Sequence, residues 1–248
     1  MRIKPVLLSL SVFAAFGAAA SAAHAIPLIT NGNFELTTNG GNKQLAAGAS
    51  TTAANRTTLV GWNSSNGSDG GYNFVLNGSI VTTSASTLGL RGANNGFTAS
   101  PTGGNIFASD PLYYPGVLTQ VVSGLTVGSL YTLSFDYALA QQTGYSGANL
   151  NDYWQVGFGS ATQNTAMLSI PDGGFSGWKT ATMNFTATST SQVLSFLAKG
   201  SATGAPPFLL LDNVAMDSAV PEPGTWSLLL GGLGVLGLMA RRRRSKQA

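Results

Sequence analysis

Gly116–Ala138 reads GVLTQVVSGLTVGSLYTLSFDYA, two strand-like runs on either side of a Gly-rich turn. In the second run Tyr131, Leu133, Phe135 and Tyr137 share one face, and Thr132, Ser134 and Asp136 share the other. A two-residue period of this kind marks a strand with one buried side. SGLTVGSLY supplies the turn residues that an antiparallel connection needs. The same alternation recurs downstream. YWQVGF sets Trp154, Val156 and Phe158 on one side, and TATMNFTAT does the same with Ala181, Met183, Phe185 and Ala187. VLSFLA and PFLLLDNVAM are denser and suit central strands, and NFVLNGSIV adds a further segment upstream.

Short strands at this spacing predict an all-β antiparallel sandwich. Helical periodicity is absent from the body except for a weak stretch around Lys43 to Ala54. No fixed-period repeat and no Pro/Ser linker divides residues 26–219, so they read as one domain. Three polar stretches read as long loops: Thr37 to Thr58, Gly92 to Pro115 and Gln141 to Asn151.

The net charge of +3 misdescribes this body. Between Ile26 and Val220 there are five basic residues (Lys43, Arg56, Arg91, Lys179, Lys199) against eight acidic ones, a balance of −3. A nucleic-acid reader needs clustered Lys and Arg to displace counterions from phosphate, and the body has no such cluster. There is no cysteine, and the single histidine is His24.

Both ends read as addresses. Residues 1–25 have the order of a secretory signal: Arg2 and Lys4, an apolar stretch, then Ala23-His24-Ala25 as a small-x-small cleavage site. Without them the chain has neither His nor Cys, which excludes Ser-His-Asp and Cys-His nucleophilic systems and zinc sites with those ligands. At the other end Trp226 to Ala240 is uncharged over 15 residues and is followed by Arg241, Arg242, Arg243 and Arg244. As a helix this run spans about 22 Å, short of a hydrocarbon core of roughly 30 Å. The arginines place its end on the cytoplasmic side.

Pro221-Glu222-Pro223, a short apolar helix and a terminal arginine cluster resemble the PEP-CTERM sorting signal of Gram-negative bacteria, within residues 220–248. The resemblance implies a transient hold in the inner membrane, processing by an exosortase near Pro221-Glu222-Pro223, and delivery to the cell surface or an exopolysaccharide matrix. In the body, ITNGNFE (Ile29 to Glu35), LVGW (Leu59 to Trp62), Gly116–Ala138, GWKTATMNFTAT (Gly177 to Thr188) and FLLLDNVAM (Phe208 to Met216) occur in an order that resembles galactose-binding-like jelly rolls, which include many carbohydrate-binding modules. That resemblance implies a structural calcium joining Glu35 and Asp212, with Asn33 as a further ligand. Oxygen donors of this kind suit calcium.

Sugar sites pair aromatic faces with hydrogen-bonding side chains. The loops offer Tyr72, Tyr113, Tyr114 and Tyr145, with Asn149 and Asp152 as polar candidates. Trp62 and Trp178 each follow a glycine and open an apolar segment, which suits core residues as well as stacking platforms. The expected protein is therefore exported, surface-sorted and non-catalytic, and binds a polysaccharide. The alternative is a matrix or adhesion protein acting through protein contacts.

Overall fold

The computed structural model describes residues 27–47, 53–67, 69–79, 81–82, 88–92, 94–200, 207–218 and 231–234. The proposed signal, with Ala23 and Ala25, lies outside them, as do Pro221, Glu222, Pro223 and the four arginines. Residues 231–234 form one helical turn, and no helix among the described residues is long and apolar enough to cross a membrane.

The described residues form β1 (Lys43–Leu45), β2 (Arg56–Thr57), β3 (Asn63–Ser65), β4 (Asn73–Asn77), β5 (Asn105–Ser109), β6 (Val117–Ser123), β7 (Leu130–Gln141), β8 (Asn149–Phe158), β9 (Ala161–Asn164), β10 (Leu168–Ile170), β11 (Lys179–Thr186), β12 (Ser191–Lys199) and β13 (Pro207–Ser218). Two sheets result. One has seven strands in the order β11-β7-β13-β5-β4-β1-β2. The other has six, of which five run β10-β8-β12-β6-β3, and β9 pairs with β8. Every pairing except β1 with β2 is antiparallel.

The alternating runs fold as their period dictates. Leu133, Phe135 and Tyr137 of β7 meet Trp154, Val156 and Phe158 of β8 and Leu194 and Phe196 of β12 between the sheets. A second apolar layer lies on the outer face of the seven-stranded sheet. It comprises Phe74, Leu76, Ile106, Ala108, Ala138, Ala140, Phe208 and Leu210, against which Phe97, Phe175 and Trp178 pack. β4, β5 and β13 are therefore covered on both faces, which is why their sequences are dense in apolar residues rather than alternating.

Several expectations change here. Gly92 to Pro115 contains β5, whose five residues are all buried, and Thr37 to Thr58 contains β1 and β2. The weakly helical stretch begins with strand β1, and no residue described between Lys43 and Ala54 is helical. β7 runs on to Gln141 and β8 starts at Asn149, which shortens the third loop. ITNGNFE is a pinned bend. Asn31 and Phe34 adopt left-handed φ of 52° and 56°, and the Asn31 carboxamide accepts from Leu36 N–H (2.9 Å) and donates to Val60 C=O (3.0 Å). Val214 N–H donates to Gly32 C=O at 2.9 Å, tying this bend to β13. Trp62 is a core residue: its indole N–H donates to Asn31 C=O at 3.0 Å and its ring lies 5.6 Å from Phe34. Trp178 packs on the outer layer and donates to Thr98 C=O at 3.1 Å.

β13 sets the long axis. Its start pairs Pro207 with Gln141 and its end pairs Ser218 with Tyr131. Twelve residues at about 3.3 Å each separate these ends by roughly 35 Å. The loops after β5 and β7 lie at the Pro207 end, and the chain leaves toward its C-terminus at the other.

Candidate functional site

Glu35 and Asp212 do come together. Asp212 is fully buried on β13, and the loop Ser100 to Asn105 runs between the two carboxylates. Asp212 Oδ2 accepts from the Ser100 hydroxyl and from Thr102 Oγ1 (2.8 Å), while Oδ1 accepts from Asn213 N–H (2.7 Å). Glu35 Oε1 accepts from Asn105 N–H at 2.6 Å. Gly104, at φ 71°, lies so close to the Glu35 carboxylate that a Cβ there would overlap it. Burial pushes the Asp212 carboxyl up to about 6. The hydrogen bonds from Ser100, Thr102 and Asn213 oppose this, and the Glu35 charge adds to it. The donor set is all oxygen and faces no lysine or arginine, since the ion pairs among the described residues are Arg56–Asp69 and Arg91–Asp172. That combination fits a hard divalent cation. Asn33 is exposed on the same bend. Ser100, Thr102 and Asn105 escape sequence reading because SPTGGN looks like an ordinary turn.

The tyrosines gather at the Pro207 end. Tyr72 precedes β4 and meets Tyr113 edge-on at 5.0 Å and Phe74 at 4.6 Å. Its N–H donates to Tyr114 C=O at 2.8 Å. Asp110 holds the β5–β6 loop by accepting from Leu112 N–H (2.8 Å) and Tyr113 N–H (3.0 Å). Tyr113 and Tyr114 consequently remain 64% and 57% exposed.

Tyr145, in the β7–β8 loop, stands beside a cleft of about 540 Å³ lined by Arg91, Asn94, Asn95, Thr143, Asp172 and Phe175 among others. Arg91 contacts Asp172 at 2.9 Å and donates to Tyr145 C=O at 3.2 Å, and Gly147 N–H donates to the same Asp172 oxygen at 2.8 Å. Asn95 donates to Gly173 C=O at 2.9 Å. A charge-balanced pair, amides and a hydroxyl offer hydrogen bonds in this cleft, and the Phe175 ring adds an apolar surface. Arg91 and Asp172 lie 81 residues apart, so no local pattern announces them.

Asn149 and Asp152 are placed differently. Both are 1% exposed and point between the sheets rather than toward the rim. Burial, with the nearby Asp110 charge, pushes the Asp152 carboxyl up to about 7. Burial also raises Asp110, against its bonds from Tyr113 and Leu112.

Among solved structures, the fold is similar to a family 61 carbohydrate-binding module, TmCBM61, in complex with β-1,4-galactotriose (14% identity, 78% of this chain and 99% of that chain, TM-score 0.39). It is also similar to the N-terminal cellulose-binding domain of Cellulomonas fimi β-1,4-glucanase C (23% identity, 47% and 78%, TM-score 0.27). A third is the K1 cleaved adhesin domain of Porphyromonas gingivalis Lys-gingipain (11% identity, 64% and 92%, TM-score 0.38). No curated protein matches the chain. Residues 219–244 match the family described as the PEP-CTERM protein-sorting motif. The motif indicates a protein that is exported, anchored in the membrane and then sorted, in Gram-negative bacteria. Behind a two-sheet β-sandwich, this chain carries a PEP-CTERM sorting motif.

Proposed function

We propose that the protein is a non-catalytic carbohydrate-binding sandwich of galactose-binding-like jelly-roll type, delivered by an exosortase to the cell surface or its exopolysaccharide matrix. The observation that carries the reading is the Pro207 end of the sandwich. Exposed tyrosine rings there stand above a pinned loop, and an open cleft holds amides, a hydroxyl and the Arg91–Asp172 pair, whose Arg91 donates to the backbone carbonyl of exposed Tyr145. A pyranose presents an apolar face to rings and a polar rim to such groups. The rings of Tyr113 and Tyr145 supply stacking faces, and Asn94, Asn95 and Thr143 supply hydrogen-bond partners.

Calcium belongs to this reading at the Glu35–Asp212 site, with Asn33 as a contributor. There it would offset two carboxylates and hold the N-terminal bend against β13. Its role is structural.

The test is a glycan array probed with the full chain in detergent. Saturable retention on a defined polysaccharide is expected, and Tyr113→Ala or Tyr145→Ala weakens it about tenfold, the scale of one stacked ring at ~1–1.5 kcal/mol. Binding that survives both substitutions removes the tyrosines from the site. Absence of any glycan binding favours a matrix role through protein contacts.

A further inference from the structure

We propose a second divalent-cation site, taking calcium, at the Pro207 end of the sandwich and held by Asp110, Asn149 and Asp152. It is separate from the Glu35–Asp212 pair and does not rest on sugar binding.

The two carboxylates come from opposite sheets. Asp110 follows β5, and Asp152 lies in β8. Gly200, just past β12, lies between the two segments: a Cβ there would overlap Asp152 Oδ1 and touch the ring of Pro111, the residue after Asp110. Both are 1% exposed, and each ion pair among the described residues involves other acids. Two acidic groups thus lie near each other in the interior, and neither takes part in an ion pair among the described residues.

A bulge in β8 adds the third donor. In β10, Leu168 and Ile170 are two residues apart, yet they oppose Asp152 and Asn149, which are three apart. Asn151 absorbs the extra residue in a left-handed conformation at φ 62°. Leu150 and Asn151 face solvent, while Asn149 and Asp152 both turn inward. Regular alternation from Trp154 and Val156 would have sent Asn149 outward, so the bulge re-aims it.

These donors carry unused oxygens. The Asn149 amide nitrogen donates to Gln141 Oε1 at 3.1 Å, leaving Asn149 Oδ1 without a partner, and Asp152 Oδ2 has none. Ser109 Oγ, beside Asp110 on the inner face of the other sheet, is also unpartnered. Buried acceptors left unmade are costly, and like charges in the interior repel. A divalent cation reverses the sign of both effects. Carboxylate, amide and hydroxyl oxygens are donors for a hard ion such as calcium rather than for zinc or copper.

The test is calcium titration, by calorimetry and by thermal melting, of chelator-stripped full-chain protein in detergent. A binding event is expected that Asp152→Asn and Asp110→Asn remove and Asp212→Ala leaves in place. Failure of the Glu35–Asp212 site would appear separately, as the absence of an event sensitive to Asp212→Ala. Asn149→Asp adds a charged donor and tightens the new event about tenfold, as ligand charge does in calcium loops. The proposal is overturned if Asp152→Asn leaves all calcium binding unchanged. It is also overturned if Asn149→Asp lowers the melting temperature equally with and without calcium, the result for a carboxyl pair sharing only a proton.

Discussion

At the residue scale the buried acids dominate. The Asp152 carboxyl sits at about 7 against an ordinary 3.8, so the folded state holds its proton more tightly than the unfolded chain does. Its contribution to stability is then fully present below about pH 4 and is lost as pH rises through about 7. Asp212, at about 6, works in the same direction over a lower window. With calcium chelated, the melting temperature is expected to fall between pH 4 and pH 8, and Asp152→Asn to remove the upper part of that fall. Melting curves across buffers check this, and a flat wild-type profile would count against it. Glu35→Ala is expected to reduce the calcium-dependent rise in melting temperature, because one of two facing carboxylates is lost. Glu35 and Asp212 could be singled out in the sequence because acids are scarce. The burial of Asp152 could not, because NLNDYW gives no sign that a bulge shifts the strand's phase.

At the element scale the difference between β7 and β5 is instructive. β7 announces itself by alternating over many residues with one face polar. β5 is five residues, NIFAS, buried on both faces inside a polar stretch, so neither period nor length distinguishes it from loop. Its importance comes from its neighbours: it pairs with β4 and β13, and Phe107 reaches Phe34 at 5.8 Å and Trp154 at 5.9 Å. Phe107→Ala is expected to cost about 3–5 kcal/mol by cavity formation in a filled core. Urea denaturation measures this, and a loss below about 1 kcal/mol would mean that the segment is peripheral. The Gly-Trp context suits a core residue or a stacking platform equally, and packing against Phe34 and Phe196 makes Trp62 the former.

At the scale of the whole molecule the sandwich has two poles. The tyrosine loops and the cleft lie where β13 begins, and the sorting motif follows where β13 ends at Ser218. A protein held by its tail would therefore present the tyrosine end away from the point of attachment. Replacing Arg241 to Arg244 with serine is expected to reduce membrane retention, since the basic block fixes the orientation of the tail. Cell fractionation reads the outcome, and unchanged retention would assign the hold to the apolar run alone. The sequence by itself determined the β class, the two strands on either side of the Gly-rich turn in Gly116–Ala138 and the sorting tail. Each of these is written in local order: a two-residue period, a turn, or a short motif at a chain end. The pairing of those two strands is not: β6 and β7 lie in different sheets, so the turn crosses between the sheets instead of closing a hairpin. Only the tertiary structure decided that β5 is a central strand, that Ser100 to Asn105 joins Glu35 to Asp212, and that Asp110 lies near enough to Asp152 to raise its carboxyl. Those depend on which strands become neighbours and on a one-residue shift of phase, and burial then fixes the charge and exposure of each group.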